Sequence, residues 1–267
     1  MRTIPKVWKR LFVSGAFLVV IGYLGAAAYL YFNQRSFLYS PPSVPSRPVS
    51  ESTPFTTSGE TLRVWTRLGN SSDAVIYFGG KGEDVSAVLP ALSASLPDDE
   101  SVCLPSYRGY GGSTGSPSEE ALFADALAVY DLVSQSHPNV AVVGRSLGTG
   151  VAVYVASKRP VQKLVLVTPY DSIENIAKSR FPIFPISLLL KDKFDSASRA
   201  KDISAQTLFL LAEDDRVIPR ANSEALIDRF RPDQIAIQVI TGTDHNSIGR
   251  SHEYFDRMGE FLNPPNK

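Results

Sequence analysis

From residue 74 onward, short apolar runs alternate with longer amphipathic stretches. The runs are rich in β-branched residues and almost unbroken, which is typical of strands that are buried on both faces. Strands that are each followed by a helix build a parallel sheet covered by helices on both faces, an α/β fold. The predicted strands are residues 74–78, 101–104, 140–143, 163–168, 207–212 and 235–240. The predicted helices are residues 85–96, 118–134, 151–158, 221–230 and 247–261.

Two stretches depart from this alternation. Residues 61–68 alternate loosely between apolar and polar side chains, which predicts an antiparallel strand ahead of the parallel ones. The 38 residues between positions 168 and 207 form an insertion. Ligand sites and lids are common in insertions at the carboxyl edge of a parallel sheet. We therefore expect a short cap at about 170–204, which either contributes a lid or only covers the sheet with a helix.

Residues 11–32 form an apolar run of 22 residues without a charged side chain. A helix of that length spans the hydrocarbon core of a bilayer. Trp8 precedes the run and Tyr29 and Tyr31 lie near its end, where aromatic side chains favour the membrane interface. We expect an N-terminal transmembrane helix. A cleaved signal peptide is the alternative, because small residues at 26–28 suit a peptidase.

Basic residues set the expected orientation of this helix. Arg2, Lys6, Lys9 and Arg10 precede the apolar run, so the positive-inside rule places the N-terminus in the cytoplasm. The rest of a single-pass protein would then be extracytoplasmic, in the periplasm if the source is a Gram-negative bacterium. The expected organisation is a cytoplasmic N-terminus and anchor at 1–35, a Pro- and Ser-rich linker at 36–54, and a folded domain at 55–267.

Composition narrows the classes of partner. Lys plus Arg and Asp plus Glu both number 27, so the net charge is zero and a nucleic-acid partner is not expected. Cys103 is the only cysteine, which excludes an intrachain disulfide and a thiolate metal site. The sequence has three histidines, too few for a histidine-rich metal site. We expect neither a metal nor a cofactor, and the oligomeric state stays open.

The segment Gly144-Arg145-Ser146-Leu147-Gly148 connects a predicted strand to a predicted helix. Gly-x-Ser-x-Gly in a strand–turn–helix context is typical of a nucleophile elbow. Glycine at both ends leaves room for a very sharp turn, and the N-terminus of the helix points its free amides toward the serine. We predict that Ser146 is a nucleophile.

A serine nucleophile needs a base, and the base needs a carboxylate that orients it; in this arrangement the chain order is serine, acid, histidine. His245 is the expected base, since it lies in a glycine-bearing loop after the last predicted strand. His252 falls within the last predicted helix, where a solvated surface histidine is the simpler interpretation. The acid should follow strand 207–212, where chemistry alone does not choose among the three adjacent carboxylates at 213–215.

Acyl transfer also needs backbone amides that stabilise an oxyanion. Leu147, directly after the nucleophile, is one expected donor. The second should come from the glycine-rich loop after strand 74–78, at Gly80 or Lys81. A phosphate-binding loop is the alternative, although the loop lacks the Gly-x-x-x-x-Gly-Lys-Ser/Thr spacing. The glycine-dense segment 106–115 is, on spacing alone, a structural turn at the same edge of the sheet.

Taken together, these segments resemble the α/β-hydrolase superfamily, in particular its branch of membrane-anchored hydrolase-domain proteins. That branch includes depalmitoylating thioesterases and related bacterial serine hydrolases. Residues 107–115 match its Tyr-Arg-Gly-Tyr-Gly-x-Ser-x-Gly motif, and residues 242–246 its Gly-x-x-His-Asn motif. Its acid motif, Asp-x-aliphatic-aliphatic-Pro, matches residues 215–219 and selects Asp215 over Asp214. The chain departs from the branch where Gly79 replaces a usual His and where Ser106 replaces a usual Asp.

The resemblance implies an α/β-hydrolase fold: a mostly parallel central sheet, helices on both faces, a short cap insertion and an N-terminal transmembrane helix. It also implies a serine hydrolase that cleaves a carboxylic ester or thioester of an acyl or lipid-like substrate through an acyl-enzyme, with Ser146, Asp215 and His245 as catalytic residues. Two alternatives stay open, a serine peptidase of the same fold and a catalytically silent, membrane-tethered binding protein.

Overall fold

The computed structural model describes residues 6–42 and 44–264; Arg2, one of the basic residues used above, lies outside them. Across that part of the chain a single sheet of eight strands forms, in the order β1-β2-β4-β3-β5-β6-β7-β8. The strands are β1 (Thr53–Thr57), β2 (Glu60–Arg67), β3 (Asp73–Phe78), β4 (Ser101–Pro105), β5 (Asn139–Arg145), β6 (Lys163–Val167), β7 (Gln206–Ala212) and β8 (Ile235–Ile240). The helices are α1 (Lys6–Leu38), α2 (Val85–Ala94), α3 (Glu119–Ser134), α4 (Leu147–Lys158), α5 (Ile173–Arg180), α6 (Ile186–Leu189), α7 (Ser196–Arg199), α8 (Arg220–Ile227) and α9 (His252–Leu262).

The central strands are parallel and separate two hydrophobic cores. Strands β4, β3, β5, β6, β7 and β8 pair in parallel, whereas β1 and β2 are antiparallel at one edge. Alternate residues of β5 face opposite sides: Val140 and Val142 belong to the core under α3 and α4, and Ala141 and Val143 to the core under α2 and α9. Because both faces of β5 are covered by helices, its side chains are apolar on both faces and do not alternate with polar ones. This is the predicted α/β-hydrolase arrangement.

Strand β1 was not expected from the sequence. The sequence predicts a linker up to residue 54, but β1 begins at Thr53 and pairs with β2, Pro54 lying opposite Arg63. Proline lacks the amide proton of a ladder donor and is tolerated in an edge strand, where one side of the backbone needs no partner. The Pro- and Ser-rich composition therefore concealed a short edge strand.

Two helices have boundaries that differ from the predicted ones. The helix after Ser146 begins at Leu147, four residues earlier than predicted, because the glycines at 148 and 150 lie inside it. The last helix is interrupted: a 3₁₀ turn occupies Ile248–Arg250 and α9 begins at His252. His252 is exposed at the first residue of α9.

The insertion between β6 and β7 contains three short helices, α5, α6 and α7. Ser172 caps α5 by accepting a hydrogen bond from the Asn175 amide, and Asp195 caps α7 by accepting one from the Ser198 amide. Such short helices have little intrinsic stability, so the cap depends on what it packs against. It packs on α4 and on α1.

Helix α1 has 33 residues, and its segment Ser14–Leu38 is long and apolar enough to cross a membrane. By its length and position this helix is a candidate membrane anchor or signal segment. Most of its large side chains are exposed, among them Phe12, Phe17, Leu18 and Phe32. Exposed side chains of this size match a lipid environment better than water.

Candidate active site

The loops that carry the predicted site residues all leave the same edge of the sheet. The loop with Gly80 and Lys81 follows β3, Ser146 follows β5, Asp215 follows β7, and His245 follows β8. These four strands are parallel, so their carboxyl ends meet at one edge. Residues that are far apart in the sequence are thus brought into one cleft by the topology alone.

Ser146 lies in a strained turn between β5 and α4. Its φ of 49° and ψ of −117° place a non-glycine residue in a backbone region that side chains rarely adopt. The two flanking glycines allow this turn: a Cβ on Gly148 would lie 2.1 Å from the carbonyl oxygen of Phe78, and one on Gly144 would lie 2.5 Å from that of Gly148. Only glycine lets α4 pack this closely against the ends of β3 and β5.

Ser146, His245 and Asp215 are joined by hydrogen bonds. The Oγ of Ser146 lies 2.9 Å from Nε2 of His245, and Nδ1 of His245 lies 2.8 Å from Oδ2 of Asp215. An ionised carboxylate only accepts, so Nδ1 carries the imidazole proton and Nε2 is left as the acceptor of the serine hydroxyl proton. The side chains of His245 and Asp215 are about nine-tenths buried, at 9% and 10% exposure.

The three adjacent carboxylates after β7 have different environments. Asp215 also accepts hydrogen bonds at Oδ1 from the amides of Val217 and Ile218, at 2.9 and 2.8 Å, so both of its oxygens are held in place. Glu213 is exposed and accepts a hydrogen bond from the amide of Gly242, and Asp214 is exposed as well. Of the three, Asp215 is therefore the carboxylate that faces the imidazole.

The glycine-rich loop after β3 lies beside Ser146, and its amides differ. The amide of Gly80 donates to Oε2 of Glu83 at 2.8 Å, so it is already engaged. The amide of Lys81 has no acceptor among the described residues, and Lys81 borders the cleft next to Ser146. The amide of Leu147 belongs to the first residue of α4, which has no acceptor within the helix. Of Gly80 and Lys81, the structure leaves only the Lys81 amide free.

Two tyrosines from segment 106–115 hold this loop in place, a contact that the sequence analysis missed. The hydroxyl of Tyr107 donates to the carbonyl oxygen of Gly79 at 2.8 Å, and that of Tyr110 donates to the carbonyl oxygen of Lys81 at 2.6 Å. Burial raises the pKa of Tyr107 well above its usual range and that of Tyr110 to about 12, so both stay protonated donors. The indication in the sequence was a pair of tyrosines, three residues apart, in a loop at the same edge of the sheet as the other site residues.

Arg145 makes a second set of contacts that the sequence analysis missed. Its guanidinium is ion-paired with Glu83 and also donates to the carbonyl oxygens of His245 and Asn246 at 3.2 and 3.3 Å. Burial alone would lower the pKa of Arg145, but Glu83 and the hydrogen bond to it raise it overall. The indication in the sequence was the position of Arg145, between a buried strand and the nucleophile. A charged side chain that is buried there requires a buried partner.

Two cavities meet at Ser146. One, of about 260 Å³, is mostly apolar and lies between the cap, α1 and the start of α4. The other, of about 800 Å³, is bordered by His245, Arg145, Glu83 and Arg250 and is more polar. The nucleophile thus lies between a compartment that suits hydrocarbon and one that suits a polar group. No group of three His, Cys, Asp or Glu side chains suited to a metal ion occurs within residues 6–42 and 44–264.

Several known proteins are similar to this chain in sequence. A family model described as serine hydrolase (FSH1) matches residues 86–246. An uncharacterised protein of Mycobacterium tuberculosis is 32% identical over 236 residues, which cover 83% of this chain and 84% of that protein. The lysophosphatidylserine lipase ABHD12 of Gallus gallus is 32% identical over 233 residues, which cover 74% of this chain and 60% of the lipase, so the chain spans less than two thirds of that relative.

A solved structure shares the fold over most of this chain. The esterase Pf2001 of Pyrococcus furiosus superimposes with a TM-score of 0.66 at 18% identity, covering 84% of this chain and 98% of the esterase. At that identity the superposition speaks for the fold alone. The matches to the family model and to the relatives indicate common ancestry. The chain therefore belongs to the serine hydrolase (FSH1) family of α/β-hydrolase enzymes.

Proposed function

We propose that this protein is a membrane-anchored serine hydrolase that cleaves carboxylic esters or thioesters of acyl or lipid-like substrates. The observation that carries the proposal is the hydrogen-bonded series from Ser146 through His245 to Asp215, next to the free amide of Lys81. A serine held by a neutral imidazole, beside unengaged backbone amides, has the parts required for acyl transfer.

In the first half of the proposed reaction, Oγ of Ser146 forms a bond to the acyl carbonyl carbon while its proton passes to Nε2 of His245. The Asp215 carboxylate holds the imidazole in the correct tautomer and stabilises the imidazolium that forms. The oxyanion accepts hydrogen bonds from the amides of Leu147 and Lys81, which are preorganised and need no reorientation. The imidazolium then protonates the leaving oxygen or sulfur as its bond to the acyl carbon breaks.

In the second half, water hydrolyses the acyl-enzyme. His245 removes a proton from the water as the water oxygen bonds to the acyl carbon. The bond between that carbon and Oγ of Ser146 breaks, and the proton returns to Oγ. The products are a carboxylic acid and an alcohol or thiol, and the enzyme regains its starting state.

The acyl character of the substrate is supported by two observations. The cavity of about 260 Å³ next to Ser146 is bordered largely by aliphatic and aromatic side chains. The chicken relative is named a lysophosphatidylserine lipase. Helix α1, with a segment long and apolar enough to span a bilayer, would keep the site at a membrane surface. We propose that α1 is a retained single-pass anchor with the hydrolase domain outside the cytoplasm.

Labelling with a fluorophosphonate probe tests the nucleophile, since such probes react with activated serines. The full-length protein should be labelled, and the Ser146→Ala variant should not. Ser179→Ala is a matched control, because Ser179 is an exposed serine of the cap and its removal should leave labelling unchanged. Absence of labelling in the wild type, or equal labelling of Ser146→Ala, would refute the proposed chemistry.

Hydrolysis of p-nitrophenyl esters and of the matching thioesters and anilides tests the bond that is cleaved. We expect turnover of esters or thioesters and little turnover of anilides. A preference for anilides would instead support a peptidase of the same fold. An active-site serine that labels while every acyl substrate stays intact would support the non-catalytic, membrane-tethered alternative.

A further inference from the structure

The apolar cavity has a wall that is not part of the hydrolase domain. Five residues of α1 line it: Leu30, Tyr31, Gln34, Phe37 and Leu38. Their spacing of three or four residues places them on one face of the helix. Ser146 and Leu147 border the same cavity. This face of α1 and the nucleophile therefore line one cavity.

Helix α1 is attached to the cap by specific contacts near this wall. Arg35 is ion-paired with Asp192 at 2.9 Å, and the Asp192 side chain is only 5% exposed. The side chain of Gln34 donates to the carbonyl oxygen of Leu189 at 3.1 Å and accepts from the amide of Lys191 at 2.6 Å. The buried Asp192 carboxylate needs the ion pair with Arg35, and the Gln34 carboxamide is hydrogen-bonded at both its nitrogen and its oxygen. These contacts fix this part of α1 against the cap.

The cap also reaches along α1 into its apolar segment. The hydroxyl of Tyr23 donates to the carbonyl oxygen of Ile183 at 2.9 Å, and the Tyr23 ring stacks on Phe184 with centroids 5.1 Å apart. Tyr23 lies 15 residues before Leu38, or about 22 Å along a helix of 1.5 Å rise per residue. Ile183 and Leu188 of the cap are 71% and 83% exposed, so the cap presents apolar side chains beside the apolar segment of α1.

From these contacts we infer that α1 is part of the substrate site: it forms one wall of a pocket for a single long acyl chain, which enters from the bilayer. This rests on the proposed hydrolase function. The chain would lie between the α1 face and the cap residues Ile173, Ile176 and Ile186, with its carbonyl carbon at Ser146. The polar group released on cleavage would leave through the larger cavity, which Arg145 and Arg250 border.

Most of the surface that lines this pocket is apolar, and each methylene removed from water contributes about 0.8 kcal/mol. That gain is small for a chain already in lipid, so the pocket would select by shape and length more than by affinity. A substrate drawn from the bilayer needs no passage through water if its entrance lies between α1 and the cap.

A tryptophan substitution within α1 tests the wall. Leu30→Trp narrows the pocket, and Leu24→Trp is the matched control, because Leu24 is 59% exposed on the same helix and does not line the cavity. With the full-length protein in lipid nanodiscs, Leu30→Trp should lower kcat/KM for a palmitoyl ester by about tenfold or more and leave that for a butyryl ester within about twofold. Leu24→Trp should leave both unchanged. An unchanged chain-length profile in Leu30→Trp, or an equal loss for both esters, would overturn the inference.

Crosslinking provides a test that does not require turnover. A palmitoyl ester carrying a diazirine in its chain is added to the Ser146→Ala variant in phosphatidylcholine nanodiscs, irradiated and mapped by mass spectrometry. Crosslinks to α1 residues 30–38 together with residues 173–190 of the cap would support the pocket. Crosslinks confined to other parts of the protein would overturn it. If fluorophosphonate labelling fails but these crosslinks form, the proposed chemistry is wrong and the acyl-chain site stands.

Discussion

Arg145 is ion-paired with Glu83, and both side chains are largely buried, at 14% and 12% exposure. The pair connects the residue before the nucleophile to the loop after β3, where Glu83 also holds the amide of Gly80. The same guanidinium donates to the carbonyl oxygen of His245. One side chain thus ties the loop that carries the Lys81 amide to the loop that carries the base.

Arg145→Lys should impair turnover more than folding. Lysine keeps the charge but lacks the planar fork that reaches Glu83 and the His245 loop together. We expect kcat to fall about 10- to 100-fold with little change in KM, since the loss is in the alignment of groups that act in the transition state. Arg159→Lys is the control, because Arg159 also pairs with a carboxylate, forming two hydrogen bonds to Asp131 at the far end of α4, away from the site. Equal effects of the two substitutions would refute a positioning role.

Removal of the Tyr110 hydroxyl should loosen the Lys81 amide. In Tyr110→Phe the carbonyl oxygen of Lys81 keeps only its hydrogen bond from the Ser40 amide, at 3.2 Å. We expect about a tenfold slower fluorophosphonate reaction, consistent with the 1–3 kcal/mol that a lost buried hydrogen bond costs. Tyr130→Phe is the control, since the Tyr130 hydroxyl donates to Pro160, away from the site. An unaltered labelling rate in Tyr110→Phe would show that the loop does not need this hydroxyl.

Asp215→Asn and Asp214→Asn should differ strongly although the residues are adjacent. In Asp215→Asn the new carboxamide could present its NH₂ group to Nδ1 of His245 and stabilise the wrong tautomer, so we expect kcat to fall by about three to four orders of magnitude. Asp214 is exposed, and its substitution should change kcat by less than about twofold. Steady-state hydrolysis of one ester by the three proteins measures this; comparable activity of Asp215→Asn and wild type would exclude Asp215 as the orienting acid.

Gly148→Ala should destabilise the folded domain. The added Cβ would lie 2.1 Å from the carbonyl oxygen of Phe78, a backbone atom that cannot move aside cheaply. Alanine has the higher helix propensity by about 1 kcal/mol, but we expect the clash to outweigh it and the free energy of unfolding to drop by at least about 2 kcal/mol. Gly25→Ala, whose Cβ would meet nothing within 4 Å, is the control in chemical denaturation. Equal stability of the two variants would contradict the close packing of α4 on β3.

The buried thiol of Cys103 should make stability fall at alkaline pH. Burial raises the pKa of this thiol to about 12 from an ordinary value of 9.0. Between these values the unfolded thiol ionises while the folded one stays protonated, so unfolding becomes more favourable as the pH rises. The effect of one such group is about 1.4 kcal/mol per pH unit.

Comparison of wild type with Cys103→Ala isolates this contribution from that of the buried tyrosines. The free energy of unfolding of the variant should depend less steeply on pH above 9.0, by the equivalent of one proton. As an independent check, iodoacetamide should leave Cys103 unmodified in the native protein at mildly alkaline pH and alkylate it after denaturation. Rapid alkylation of the native protein would contradict the burial.

Local patterns in the sequence were sufficient for the parallel strands and the edge at which the site forms. Nearly unbroken apolar runs can be satisfied only by burial on both faces, and parallel strands place their following loops together. This holds for the loops with Ser146 and His245, whose positions follow from strand order. Residues 53–57 show the limit: the composition predicts a linker up to residue 54, whereas pairing with β2 makes 53–57 an edge strand.

The sequence by itself determined the fold class, the apolar length of α1 and which residue types come to the carboxyl edge, because each depends on spacing along the chain. The tertiary structure decided which groups meet there. It separated the engaged amide of Gly80 from the free amide of Lys81, buried Arg145 against Glu83, and joined Arg35 to Asp192 across 157 positions. Such contacts depend on distances that no local pattern encodes, since they arise only when the sheet, the cap and α1 pack around one cleft.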